Sequence, residues 1–128
     1  MRRIKYVRSV GLQHKLHAFC DRESLDCGQV VNPGILEQQQ QGATIFALAN
    51  ALRAKITVDK GRVVESNFDG YAPLRMSEVP VVEAYFVRST ESPTGAGEPP
   101  VPPVAPALCN AIYAATKKRL RALPVLNS

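Results

Sequence analysis

Ile35, Leu36, Gln39, Ala43, Phe46, Ala49 and Leu52 recur at three- and four-residue intervals, an apolar stripe interrupted by one amide, and predict a helix over about 34–54. Asn32-Pro33 just ahead supplies a start signal. Asparagine at a cap position accepts a backbone N–H through its side chain, and proline at the first helical position gives up an N–H that would find no partner there. Residues 55–66 hold two short β-type runs around Asp59-Lys60-Gly61, where glycine supplies the positive φ of a tight turn, and predict a hairpin. Residues 67–80 carry turn chemistry without a sustained period, and 81–88 alternate as a further strand.

Between Ser89 and Pro106 the chain sets Pro93, Gly95, Gly97, Pro99, Pro100, Pro102, Pro103 and Pro106, which predicts a fixed, partly polyproline loop in place of helix or sheet. Leu108, Ile112, Ala115 and Leu123 then resume the helical interval and predict a terminal helix over about 105–122. Lys117, Lys118, Arg119 and Arg121 would fall in its last turns, where cations complement the helix dipole. Residues 1–25 follow neither a period of 2 nor one of 3.6 and predict poor order. The fold class expected is α+β: helix, β-hairpin, further strand, Pro/Gly loop and terminal helix.

A chain of 128 residues with 45% apolar positions has room for one domain and for a real core without disulfides or a structural metal. No stretch approaches the roughly 18 to 20 uninterrupted apolar residues of a membrane span, and no apolar signal region follows the basic N-terminus, so a membrane partner is not expected. The net charge of +5 is concentrated at one end: residues 1–25 hold six basic and two acidic residues, while the other 103 hold ten and nine. A nucleic-acid-binding module would use residues 1–25 and the 117–121 cluster, and the near-neutral body argues against it. Cys20, Cys27 and Cys109 form no C-x-x-C pair, and neither His14 nor His17 sits at a zinc-site spacing with them, so no metal site is expected. Reduced thiols fit a cytoplasmic setting, with a periplasmic one as the alternative, and a Cys20–Cys27 disulfide stays open on sequence.

These features do not name a reaction. Several short motifs occurring in order do carry a resemblance: Asp26-Cys27-Gly28-Gln29-Val30-Val31-Asn32-Pro33, then Gln39 and Gly42, then Asn67-Phe68-Asp69-Gly70-Tyr71, Arg75-Met76, Glu78 and Pro80. Gly95-Ala96-Gly97-Glu98-Pro99, Ala105-Pro106-Ala107 and Asn110-Ala111-Ile112 complete the series. In this order they resemble the molybdenum hydroxylases, the xanthine dehydrogenase and aldehyde oxidase superfamily, and most of all the large molybdopterin-binding subunit of isoquinoline 1-oxidoreductase type. The resemblance covers residues 26 to about 124, corresponding to the C-terminal end of a subunit several times longer, and leaves 1–25 as an unmatched basic segment. A truncated or frameshifted gene would explain that abrupt start.

The resemblance implies an oxidoreductase that hydroxylates an aldehyde or N-heterocycle carbon with oxygen from water. It implies molybdopterin, in its cytosine dinucleotide form, as cofactor, and the remainder of the large subunit and a [2Fe-2S] subunit as partners. The family's G-x-G-E glutamate falls on Glu98, where the resemblance implies a general base that takes a proton from a molybdenum-bound hydroxyl. A lone carboxylate suits that task when a rigid loop aims it. Gly95 and Gly97 would let the backbone approach the cofactor closely, and Gln39 takes the position of a glutamine that contacts the pterin, an edge that an amide can both donate to and accept from. Where the family has Gly-Gly after that glutamine, this chain has Gly42-Ala43. One base and one amide do not preorganise a complete site, so the isolated chain is expected to be inactive, and a non-catalytic remnant surviving as a homo-oligomer or interaction protein is the second reading.

Overall fold

The computed structural model describes residues 20–127. In chain order the regular elements are β1 (Cys20–Leu25), α1 (Pro33–Leu52), β2 (Val58–Asp59), β3 (Arg62–Val63), β4 (Val81–Phe86) and α2 (Val101–Thr116), with single 3-10 turns at Met76–Glu78 and Val125–Asn127. The α+β class expected from the sequence is the one observed. β1 and β4 pair in parallel, from Cys20 opposite Val81 to Leu25 opposite Phe86, with α1 and the small β2–β3 hairpin in the crossover between them. β1 occupies the last residues of a segment expected to lack order, because pairing with the apolar β4 supplies what its own pattern does not. Residues 1–19, with His14 and His17, lie outside the described residues.

α1 begins as its sequence predicts. Asn32 holds an extended conformation, its side-chain oxygen accepts the Ile35 N–H at 3.1 Å, and Pro33 takes the first helical position. The buried side of the helix differs from the expected stripe. Gln40, Thr44, Ala47, Leu48, Ala51 and Leu52 are buried, whereas Ile35 and Phe46 are 58% and 60% exposed and Gln39 is exposed. Much of the C-terminal half of α1 is apolar all round, so its own pattern fixes no phase and the packing partner decides. Ala47 and Ala51 are small enough to let α2 approach, and Val104 and Leu108 close the core over them, with Val104 fully buried.

α2 corrects two further expectations. It starts at Val101, inside the stretch read as loop, and ends at Thr116. Pro102 and Pro103 sit in the first turn, where N–H groups have no intrahelical acceptor, so two prolines there cost no hydrogen bond. Pro106 removes one rung of the ladder, to the carbonyl of Pro102, but both residues lie on the exposed face, where water can serve that oxygen. At the other end Lys117 adopts a left-handed conformation (φ 60°) and its N–H donates to the Tyr113 carbonyl at 2.8 Å. The basic cluster therefore follows the helix instead of filling its last turns, and Arg119 stacks 3.9 Å from the centroid of the Tyr113 ring.

The hairpin turn is the two-residue Lys60-Gly61, both at positive φ (47° and 78°), the geometry whose twist matches paired strands. Cys27 is buried and Cys109 half-buried, both as free thiols. No helix among the described residues is long and apolar enough to cross a membrane.

One ion pair ties the crossover to the helix. The Arg53 guanidinium grips the Glu78 carboxylate with two nitrogens, one at 3.0 Å, and the Arg75 backbone N–H donates to the same carboxylate at 2.9 Å. These bonds, the Arg53 side chain first, hold the Glu78 carboxyl well below its ordinary value, at about 2. A carboxyl whose folded pKa is depressed stabilises the fold fully above its unfolded value of 4.5, and the contribution fades as the pH falls towards 2. Acid unfolding monitored by circular dichroism is expected to lose part of its slope between those limits in Glu78→Gln. The change is small because both side chains remain about one-quarter exposed and the pair is screened.

Candidate functional site

Three stretches meet at the N-terminal half of α1, two of them near neighbours in sequence and one far downstream. The first is the turn after β1, Asp26-Cys27-Gly28. The Asp26 carboxylate accepts the Gly28 N–H at 3.3 Å, and Gly28 is held at φ 80°. The second is the segment 89–98, bound to that turn by two backbone bonds: Gln29 N–H to Glu91 O at 2.9 Å and Thr94 N–H to Cys27 O at 2.8 Å. Gly28 lies so close to this segment that a Cβ there would run into the Ser92 carbonyl and come within 2.9 Å of Glu91 O. Glycine is required twice over at this position, by its φ and by the backbone pressed against it.

The third stretch is α1. Gln40, 1% exposed, donates its side-chain N–H to the Ala96 carbonyl at 2.7 Å. Its neighbour Gln39 points its Oε1 at Gly97, where a Cβ would sit 3.5 Å away. The structure thus brings Gln39 and Gly97 together, and Glu98 follows as the next residue, exposed, with its carbonyl accepting the Val101 N–H at 2.9 Å where α2 starts. Gly95 has open space on its Cβ side, and neither Gly95 nor Gly97 lies in the left-handed region. A shallow cleft of about 240 Å³ runs past Gln39, walled by Cys27, Val30, Val31, Ile35, Leu36 and Pro93. Among the described residues no group of three or more His, Cys, Asp and Glu side chains is placed to hold a metal ion.

Residues 23–80 match a family of known proteins described as the molybdopterin cofactor-binding domain. That match begins inside β1, three residues ahead of Asp26. The chain is 39% identical over 101 residues to the membrane-bound aldehyde dehydrogenase (pyrroloquinoline-quinone) of Gluconacetobacter polyoxogenes, which covers 79% of this chain and 13% of that protein. It is 35% identical over 102 residues to the isoquinoline 1-oxidoreductase subunit beta of Brevundimonas diminuta, covering 80% and 13%. The chain belongs to the molybdenum hydroxylase family. Its molybdenum hydroxylase fold is also that of a Cu,Mo-CO dehydrogenase crystal structure, with a TM-score of 0.64 and 28% identity over 77% of this chain and 13% of the other. The isoquinoline 1-oxidoreductase type expected from the motifs is among these relatives, and the aldehyde dehydrogenase is slightly more similar. The chain spans about 13% of the length of these two curated relatives.

Sequence reading missed Gln40. Four consecutive glutamines look like solvated filler, but 40, 44, 47, 48 and 51 share one helical face, and a polar residue on the same stripe as Thr44, Ala47 and Leu48 is a candidate for a buried hydrogen bond. Thr44 meets the same requirement by donating to the Gln40 backbone carbonyl at 2.8 Å.

Proposed function

We propose that this chain contributes one wall of a molybdopterin site and its general base, working in assembly with the remainder of a large subunit and a [2Fe-2S] subunit. The reaction is hydroxylation of an aldehyde or N-heterocycle carbon with oxygen from water. The observation that carries this reading is the meeting of Gln39 with Gly97, next to Glu98, from two separate motifs. The residues fit the cofactor in a further respect. Among the described residues neither a positive φ nor close packing calls for glycine at 95 or 97, and a backbone without side chains there suits the close approach of an external group.

In this reading the exposed Gln39 amide, which borders the cleft, would donate to and accept from a pterin edge. Bound molybdopterin supplies the redox-active metal. Glu98 takes up the proton released as the water-derived oxygen is transferred, and its place just before a proline-fixed helix start limits where its carboxylate can reach. The cytosine dinucleotide form of the cofactor and a cytoplasmic location, where the free thiols of Cys27 and Cys109 stay reduced, belong to the same proposal.

The test is molybdenum analysis of the chain purified from its native host, with size-exclusion chromatography of the same sample. Stoichiometric molybdenum and a co-eluting larger chain are the expected result, and a metal-free protein running alone would overturn the reading. Gly97→Ala adds a finer test: thermal stability is expected to change by no more than about 0.5 kcal/mol, because the new methyl meets only ordinary contact, while molybdenum content falls.

A second reading is favoured by the exposed apolar residues Ile35 and Phe46 on α1 and Val81 and Tyr85 on β4 of a two-stranded sheet. These surfaces suit self-association of a non-catalytic remnant. The same chromatography would show it as a metal-free homo-oligomer.

A further inference from the structure

We infer that Gln40 is a positioning residue: its side-chain amide fixes the Gly95–Glu98 loop on α1, and with it the place of the Glu98 carboxylate relative to Gln39. The importance of that placement rests on the functional reading above, whereas the restraint itself does not. Upstream, the loop is tied at Thr94 through the Cys27 carbonyl, and downstream at Glu98 through the first turn of α2. Between these ties lie Gly95 and Gly97, the residue type with the widest backbone freedom, and no described residue packs on the Cβ side of Gly95. Within that span the Gln40 bond to Ala96 at 2.7 Å restrains the loop, reaching across 56 positions of sequence from a helix whose next turns form the core.

The geometry asks for this side chain in particular. A donor is needed, because the Ala96 group is a carbonyl oxygen. Reach is needed too, since the side chain must leave the buried face of α1 and still meet the loop. Gln40 and Gln39 are successive residues of one helical turn, so the amide that holds Ala96 also sets Gln39 against Gly97. Replacing Gln40 would loosen both sides of the site at once without removing either functional side chain.

Backbone ¹⁵N relaxation on the full chain tests this without any cofactor. In Gln40→Met, which keeps the volume but has no donor, order parameters at Gly95, Ala96, Gly97 and Glu98 are expected to fall from about 0.85 to about 0.6 or below. Those of Ala47 and Leu108 should stay near their original values. Gln40→Asn keeps the amide but withdraws it by one methylene, and is expected to loosen the same four residues, so the test survives if the methionine variant does not fold. Gln41→Met, in the same glutamine run, should leave the loop as ordered as before. Unchanged order at 95–98 in a folded Gln40 variant, or an equal loss at Ala47 and Leu108, would overturn the inference. Absence of molybdenum from the native protein would overturn the functional reading alone and leave this result standing.

Discussion

Gly28→Ala is expected to destabilise the protein by roughly 2 to 4 kcal/mol, a large part of the 5 to 15 kcal/mol that holds a domain of this size together. Two costs combine. An alanine at φ 80° has its Cβ crowded against its own backbone, worth about 1 to 2 kcal/mol. The same methyl would also overlap the Ser92 carbonyl and crowd Glu91 O, so the segment must move, straining the Gln29–Glu91 and Thr94–Cys27 bonds that fasten it. Chemical denaturation of the two proteins side by side measures the difference. Gly61→Ala makes a useful contrast, since Gly61 has a similar φ of 78° but nothing within 4 Å of its Cβ, and it should show the conformational cost alone. Equal losses for the two variants would mean that the close approach at Gly28 contributes nothing.

Glu98→Gln is expected to lower turnover by about 10²- to 10⁴-fold in the molybdenum-loaded assembly, the range over which a positioned general base acts. Folding and cofactor content should not change, because the Glu98 side chain is exposed and the hydrogen bond at the start of α2 uses its backbone carbonyl. Steady-state kinetics with molybdenum analysis on the same samples separates the two effects. A variant that keeps its molybdenum and its full turnover would remove Glu98 from the proposed mechanism.

The elements that the sequence announces clearly are those governed by local chemistry. Asn32-Pro33 caps α1 by bonds within four residues, and Lys60-Gly61 turns the hairpin through its own dihedral angles, so neither depends on distant chain. Two features depend on such chain and were harder to read. α1 is apolar enough around its C-terminal half that either stripe could face inward, and the small side chains at Ala47 and Ala51 decide it by admitting α2. A proline-rich stretch reads as loop by propensity, yet Pro102 and Pro103 fall in the one turn of a helix that tolerates them. The candidate site divides in the same way. Glu98, Gly95, Gly97 and Gln39 were legible through their motifs, whereas Gln40 becomes apparent only when the phase of α1 is known.

Those prolines act before the chain has folded. Each of Pro99, Pro100, Pro102 and Pro103 restricts its own φ in the unfolded ensemble, so the segment just after Glu98 surrenders less freedom when it orders, by about 0.4 to 1 kcal/mol per residue where the native angle suits the ring. Pro102 is exposed and sits where no backbone bond is lost. Its worth to the protein is therefore almost wholly a property of the disordered chain: stiffness built in beside the glutamate, which no inventory of native contacts would register.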